Sequence, residues 1–206
     1  MVIAIDGFSA CGKSTMAKAL AKQLGAVYID TGAMYRAVTL YFIRNKIDLT
    51  KQKDVASALE KIHITENVEV LIRSKDVSAL VSEVAAISQV RRKLVELQRF
   101  MSDHIDVVLD GRDIGTVVFP NADVKLFITA DPLIRARRRL DEYEDKGVKA
   151  DLNEVLENLK KRDHIDSTRE DSPLKTAEDA IVIDNSVLTR EEQLEMVLKI
   201  VKESEG

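Results

Sequence analysis

The feature that most constrains this chain is Gly7-Phe8-Ser9-Ala10-Cys11-Gly12-Lys13-Ser14, a match to G-x-x-x-x-G-K-[ST]. Glycine at the first and sixth places opens backbone conformations closed to other residues, so the loop can turn its N–H groups onto a polyphosphate. Lys13 then opens a helix, whose N-terminus favours anions, and its ammonium reaches toward the outer phosphates. The Ser14 hydroxyl is placed to hold magnesium. The flanks supply the order such a loop needs: Val2-Ile3-Ala4-Ile5 is a short β-branched run, and Met16, Ala17, Leu20, Ala21 and Leu24 recur at helical spacing. Strand, loop and helix together predict a nucleoside triphosphate site formed by Gly7, Phe8, Ser9, Ala10, Cys11, Gly12, Lys13, Ser14 and Thr15.

With 206 residues, 45% of them hydrophobic, the chain can bury one substantial core. Its formal net charge of −4 argues against a general affinity for nucleic acid, which needs a large positive field. The single cysteine, Cys11, permits no intrachain disulfide and suits a reducing compartment. Inside the loop it reads as a small filler, with a redox switch as the alternative. A first strand at Val2 leaves no room for a signal peptide, and no apolar run approaches the roughly 18 residues of a membrane span. The expectation is a cytoplasmic monomer with no nucleic-acid or membrane partner.

Further strands are predicted at Ala26–Ile29, Val107–Leu109, Val124–Ile128 and Ala180–Asp184, separated by helical patterns, which makes a doubly wound α/β fold with five parallel strands. Gly25 caps the first helix, and Asp30-Thr31-Gly32-Ala33-Met34-Tyr35-Arg36 opens the second at the carboxyl edge of the sheet, where open α/β folds bind ligands. The middle block, about 37–104, has no phosphate-loop chemistry and reads as an inserted lobe. Within it, Ile62–Thr65 and Val68–Ile72 alternate as a hairpin would, and Val77–Met101 is helical with a break near Ser88. Arg135, Arg137, Arg138 and Arg139 crowd one helix, and Lys160, Lys161 and Arg162 another; such runs are either solvated faces or phosphate contacts. Asp163 to Ser172 is polar throughout without apolar periodicity and reads as a mobile loop.

A phosphate loop alone does not decide where the γ-phosphate goes. Transfer to a small acceptor needs cations around the moving group, and arginines suit the task because they stay charged and bind phosphate oxygens in pairs. Arg36, Arg112, Arg162 and Arg169 are the candidates, although Tyr35 and Arg36 also fit an ordinary helix with a snorkelling arginine. The chain is short for an ABC-type ATPase.

In these blocks the sequence resembles the bacterial cytidylate kinases, which pass the γ-phosphate of ATP to CMP or dCMP. The resemblance rests on Ile5-Asp6-Gly7 with the loop, on Asp30 to Arg36, on Val90-Arg91 with Gln98-Arg99, and on the long block Asp110-Gly111-Arg112-Asp113-Ile114-Gly115-Thr116-Val117-Val118-Phe119-Pro120. Arg162-Asp163 through Arg169, Ser172 to Lys175 and Asp184-Asn185-Ser186 extend it over nearly the whole chain. It implies a three-layer P-loop fold in a single domain of residues 1–206. The core would be 1–36 and 105–206, the lobe at about 37–104 would hold the monophosphate, and a lid would lie at about 163–172. It implies ATP and Mg2+, with CMP and dCMP as acceptors. Lys13, Arg112, Arg162 and Arg169 would be catalytic. Thr31, Tyr35 and Arg36 would wall the acceptor site, Arg162 and Asp166 would serve phosphate and ribose, and Ser82, Arg91 and Asp113 would read cytosine, with Arg73 in the lobe. Cytosine pairs an exocyclic amine donor with an acceptor nitrogen, so a carboxylate beside a hydroxyl or guanidinium is the complementary set. Asp113 bound to Arg112, and Ser82 as an exposed helix serine, are the alternatives. Two departures stand out: a short Ile62–Ile72 segment, and Ile165 where the family commonly has arginine.

Overall fold

Five short runs of β-branched and aliphatic residues form one sheet in the order β2-β3-β1-β4-β5, with every neighbouring pair parallel. They are β1 (Val2–Gly7), β2 (Val27–Asp30), β3 (Val107–Asp110), β4 (Val124–Thr129) and β5 (Ile181–Asp184). The helices are α1 (Lys13–Leu24), α2 (Thr31–Arg44), α3 (Gln52–Lys61), α4 (Lys75–Ala85), α5 (Ser88–Met101), α6 (Pro132–Glu144), α7 (Leu152–Thr168) and α8 (Arg190–Ser204). The computed structural model describes residues 1–62 and 71–204. Most of the predicted hairpin lies outside the described residues; of its end, Leu71 and Ile72 begin a 3-10 turn, Leu71–Arg73, that leads into α4.

Alternation along the strands divides the core. Ile3, Ile5, Val108, Leu126 and Ile128 pack with α1 and α8, whereas Ala4, Val107 and Leu109 face the cluster built by α2, α4 and α5. The sheet is therefore covered on both faces, as an all-parallel sheet requires, and the predicted α/β P-loop architecture is the one found. The helices start where their caps dictate. The Asp30 carboxylate accepts from Ala33 N at 2.7 Å, and Asp131 and Asp151 cap α6 and α7. α4 ends at Ala85 and α5 begins at Ser88, the break that the pattern near Ser88 predicts.

The polar stretch from Asp163 is not a loop. Asp163–Thr168 completes α7, and only the residues from Arg169 onward leave the helix. The reason is visible in what it buries: Arg162 and Asp166, four residues apart on one face, are both 4% exposed, with Arg169 beside them. That face buries charge pairs instead of apolar groups, so hydropathy gives no helical signal there. Among the described residues, no helix is long and apolar enough to cross a membrane.

Candidate active site

One cleft opens at the carboxyl ends of β1, β2 and β3. Its donor wall is the loop from β1 to α1. Gly7 has φ +143°, and a Cβ there would lie 2.0 Å from the Ile128 carbonyl oxygen, so only glycine lets β1 leave the sheet this close to β4. Gly12, at φ +83°, caps α1 in the left-handed region. Lys13 is buried and donates to the Phe8 carbonyl at 2.6 Å. Burial, and then the nearby Arg112, push its ammonium below the ordinary lysine range. Ser9 to Thr15 line the cleft, but Gly7 and Phe8 do not. The Phe8 ring instead stacks edge-on against Phe127 with the Arg135 guanidinium over it, and of Phe8 only the carbonyl faces inward, to Lys13. Cys11 is wholly buried, its thiol donating to the carbonyls of Phe8 and Ile128, which fits a filler that tacks the loop to the sheet.

At the floor, Ser14 Oγ donates to one oxygen of Asp110 at 2.8 Å and the Tyr28 hydroxyl to the other at 2.7 Å. Burial and the adjacent Asp30 raise the Asp110 carboxyl. A hydroxyl and a carboxylate at the mouth of a phosphate loop are the oxygen donors that magnesium prefers. Asp110 is a site residue to which the sequence alone assigns no role; its place at the end of β3, beside β1, is the signal that marks it. Asn185 is another. Its Nδ2 donates to the Cys11 carbonyl at 2.6 Å, and Arg138 clamps its side-chain and main-chain oxygens, so β5 braces the loop from behind.

The opposite wall is made of side chains. Thr31, Tyr35 and Arg36 reach the cleft from α2, Arg73 from the turn before α4, Ser82 from α4, Arg91 from α5, Arg112 and Asp113 from the segment after β3, and Arg162, Asp166 and Arg169 from α7 and its end. All the predicted acceptor residues thus line one cavity. Ser82 is buried, not an exposed helix serine. Asp113 pairs with Arg91 in a buried ion pair and stands 3.7 Å from Arg169; its partner is not Arg112. Arg112 turns instead to Asp166 at 2.9 Å and to Ser9 Oγ at 2.7 Å, linking the two walls. The Tyr35 ring lies under Arg91, 5.5 Å from the guanidinium carbon, and burial pushes its hydroxyl up to about 12. Thr31 donates to the Asp110 carbonyl at 2.7 Å, and Arg73 meets Asp30 at 3.4 Å.

Behind this wall, Asp6 accepts the N–H groups of Ile114 and Gly115 at 2.8 and 2.7 Å, which fixes the turn that carries Arg112 and Asp113. Burial is the main cause of an Asp6 carboxyl raised to about 6. The cations are in excess. Among the described residues, the buried Nε of Arg36, the buried Nε of Arg162 and the buried Nη2 of Arg169 have no hydrogen-bond acceptor. Burial, then the guanidiniums of Arg139, Arg112 and Arg36, hold Arg162 down to about 9 against the pull of Asp166. Such a cluster costs free energy until an anion enters it.

Comparison with known proteins gives concordant results. The family model described as cytidylate kinase matches residues 3–203. A cytidylate kinase of Parabacteroides distasonis is 51% identical, covering 97% of this chain and 95% of that protein, and one of Flavobacterium johnsoniae is 50% identical, covering 98% and 96%. The solved shikimate kinase of Bacteroides thetaiotaomicron shares the fold at a TM-score of 0.51 and 10% identity, over 98% of each chain.

Proposed function

The chain belongs to the cytidylate kinase family, and from that premise we propose how its residues carry the γ-phosphate of ATP onto CMP or dCMP, giving CDP or dCDP. The observation that carries the reading is the set of unpaired arginine donors facing a phosphate loop across one cleft. The N–H groups of the loop hold the β- and γ-phosphates of ATP, and Lys13 exchanges the Phe8 carbonyl for a phosphate oxygen as charge grows there. Ser14 and Asp110 would hold Mg2+, which when bound neutralises charge on the phosphate oxygens.

Arg36, Arg112 and Arg169 take the acceptor phosphate, and Arg162 with Asp166 serves phosphate and ribose. Asp113 accepts the cytosine amine, while Arg91 and Ser82 donate to the ring nitrogen and carbonyl. Thr31 and Tyr35 wall the site, and Arg73 stands at its rim. A phosphate acceptor is already anionic at neutral pH, so no strong general base is needed; the work is positional and electrostatic. The stretch at about 163–172 would act as a lid whose closure excludes water. The same reading has the enzyme acting as a monomer, since one chain supplies every residue of the site, and in the cytoplasm, whose reducing conditions suit a lone cysteine.

The test is ADP release in a coupled assay, with ATP alone and then with CMP, dCMP, UMP or AMP at equal concentration. CMP and dCMP are expected to drive release, with ATP alone nearly inert. A preference for UMP or AMP would remove the cytosine assignment, and release indifferent to any acceptor would remove the kinase reading.

A further inference from the structure

Two carboxylates stand side by side where β2 and β3 reach the cleft, since Asp30 and Asp110 are partners in the parallel register. Their surroundings differ. Asp30 has the N-terminus of α2 and the Arg73 guanidinium, whereas Asp110, 4% exposed, is held by two neutral hydroxyls. Ser14 Oγ donates to its Oδ2 from the phosphate loop, and the Tyr28 hydroxyl donates to its Oδ1 from the edge strand β2. The nearby Lys13 is turned to the Phe8 carbonyl. Neutral donors do not balance a buried anion with a second anion beside it, so Asp110 is held at a cost that a cation would offset.

The part played by Tyr28 follows from how a carboxylate turns. Its plane rotates in a broad, two-fold well, and a single hydroxyl at Ser14 would leave the far oxygen free to swing. A second hydroxyl from a different strand fixes the plane. Each oxygen keeps a further lone pair after accepting one bond, so both stay open to a cation while the group is clamped. The clamp is itself anchored, because the Tyr28 ring packs against the cluster that includes Ala17, Leu20 and Val108. Tyr28 does not line the cleft, so whatever it does to a bound nucleotide it does through Asp110.

We propose that Tyr28 is a positioning residue for the divalent cation that accompanies ATP, its hydroxyl setting the Asp110 carboxylate in the orientation that also meets Ser14. The proposal rests on the assignment of Ser14 and Asp110 as the magnesium donors given above. Removing such an outer partner leaves the donors present but unaimed, which costs about 10- to 100-fold in metal affinity. A hydroxyl with a purely structural role would act elsewhere, on stability and on nucleotide affinity without metal.

The experiment loads the full chain with ADP and titrates Mn2+, a spectroscopic stand-in for Mg2+, reading the free ion by electron paramagnetic resonance. Wild type, Tyr28→Phe, Asp110→Asn and the double variant are compared. Tyr28→Phe should weaken Mn2+ binding about 10- to 100-fold, while ADP affinity in chelator and KM for CMP stay within about threefold of wild type. In the Asp110→Asn background the same change should add less than about twofold, because the hydroxyl acts through that carboxylate. Wild-type Mn2+ affinity in Tyr28→Phe overturns the proposal, as does an equal further loss in the double variant. Should Tyr28→Phe fail to fold, Tyr28→Leu, which also lacks the hydroxyl, carries the same expectations; failure of both to fold overturns the proposal, since a group that aims a metal donor is not needed by the metal-free fold. Asp110→Asn binding Mn2+ like wild type would instead remove the metal assignment itself, and wild-type protein inactive with CMP would remove the kinase reading, so the failures are distinct.

Discussion

From Ser9 to Thr15 the donor wall of the cleft is one continuous piece of backbone, whereas the acceptor wall gathers side chains from α2, α4, α5, α7, the turn before α4 and the segment after β3. The first wall binds with groups that every residue owns. It needs glycine where the chain turns and bracing from Asn185 and Cys11, but it buries few charges beyond Lys13. The second wall binds with guanidiniums, some of them held by a carboxylate, Arg91 by Asp113 and Arg112 by Asp166, and others left with donors to spare. A backbone cradle suits a ligand common to many enzymes, while a mosaic of paired charges can be shaped to one base and one phosphate.

The sharpest way to break that contrast is to remove the one charge of the donor wall. Lys13→Ala should cut kcat about 1,000-fold with the melting temperature near wild type, because the lysine acts on charge that grows during transfer. Turnover near wild type would mean that the backbone alone carries that wall. Next comes the carboxylate behind the acceptor wall. Asp6 is raised from 3.8 to about 6 by burial, so its contribution favours the fold below pH 4 and is lost as pH rises through 6. Chemical denaturation from pH 4 to 7 should show wild type losing about 3 kcal/mol relative to Asp6→Asn, and a difference independent of pH would contradict the assignment.

Asp113→Ala should lower kcat/KM for CMP about 100-fold and leave KM for ATP within about threefold, since Arg91 loses its partner on the acceptor wall alone. Equal losses for both nucleotides would show that the walls are not separate. The smallest effect belongs to Lys161 and Glu83, an exposed pair at 2.8 Å that ties α7 to α4 outside the cleft. Lys161→Ala should shift stability by less than about 1 kcal/mol, and a larger change would make that contact part of the acceptor wall.

The same contrast explains what could be read in advance. The donor wall is written in eight consecutive residues with a strand before and a helix after, so its conformation follows from local chemistry. The sheet follows too, because buried parallel strands are runs of valine, isoleucine and leucine. The acceptor wall depends on residues far apart in sequence, and nothing in the spacing of Arg91 and Asp113 says that they meet. Resemblance to a family gathered those residues; the geometry then supplied their partners and set Arg91, not the alternative Arg112, against Asp113. The end of α7 has no helical signature in the sequence for a related reason, since its buried face carries Arg162 and Asp166 where hydropathy looks for leucine. Ile165, half-buried on the same helix, stays outside the cleft, whereas Arg139 lines it.

The central claim is that a monophosphate completes an acceptor wall with cations to spare. Titration calorimetry of CMP against cytidine measures it directly, because the two ligands differ only by the phosphate. Several charge-assisted hydrogen bonds at roughly 1.5–3 kcal/mol each predict that CMP binds at least about 100-fold more tightly. Cytidine binding as tightly as CMP would contradict the account.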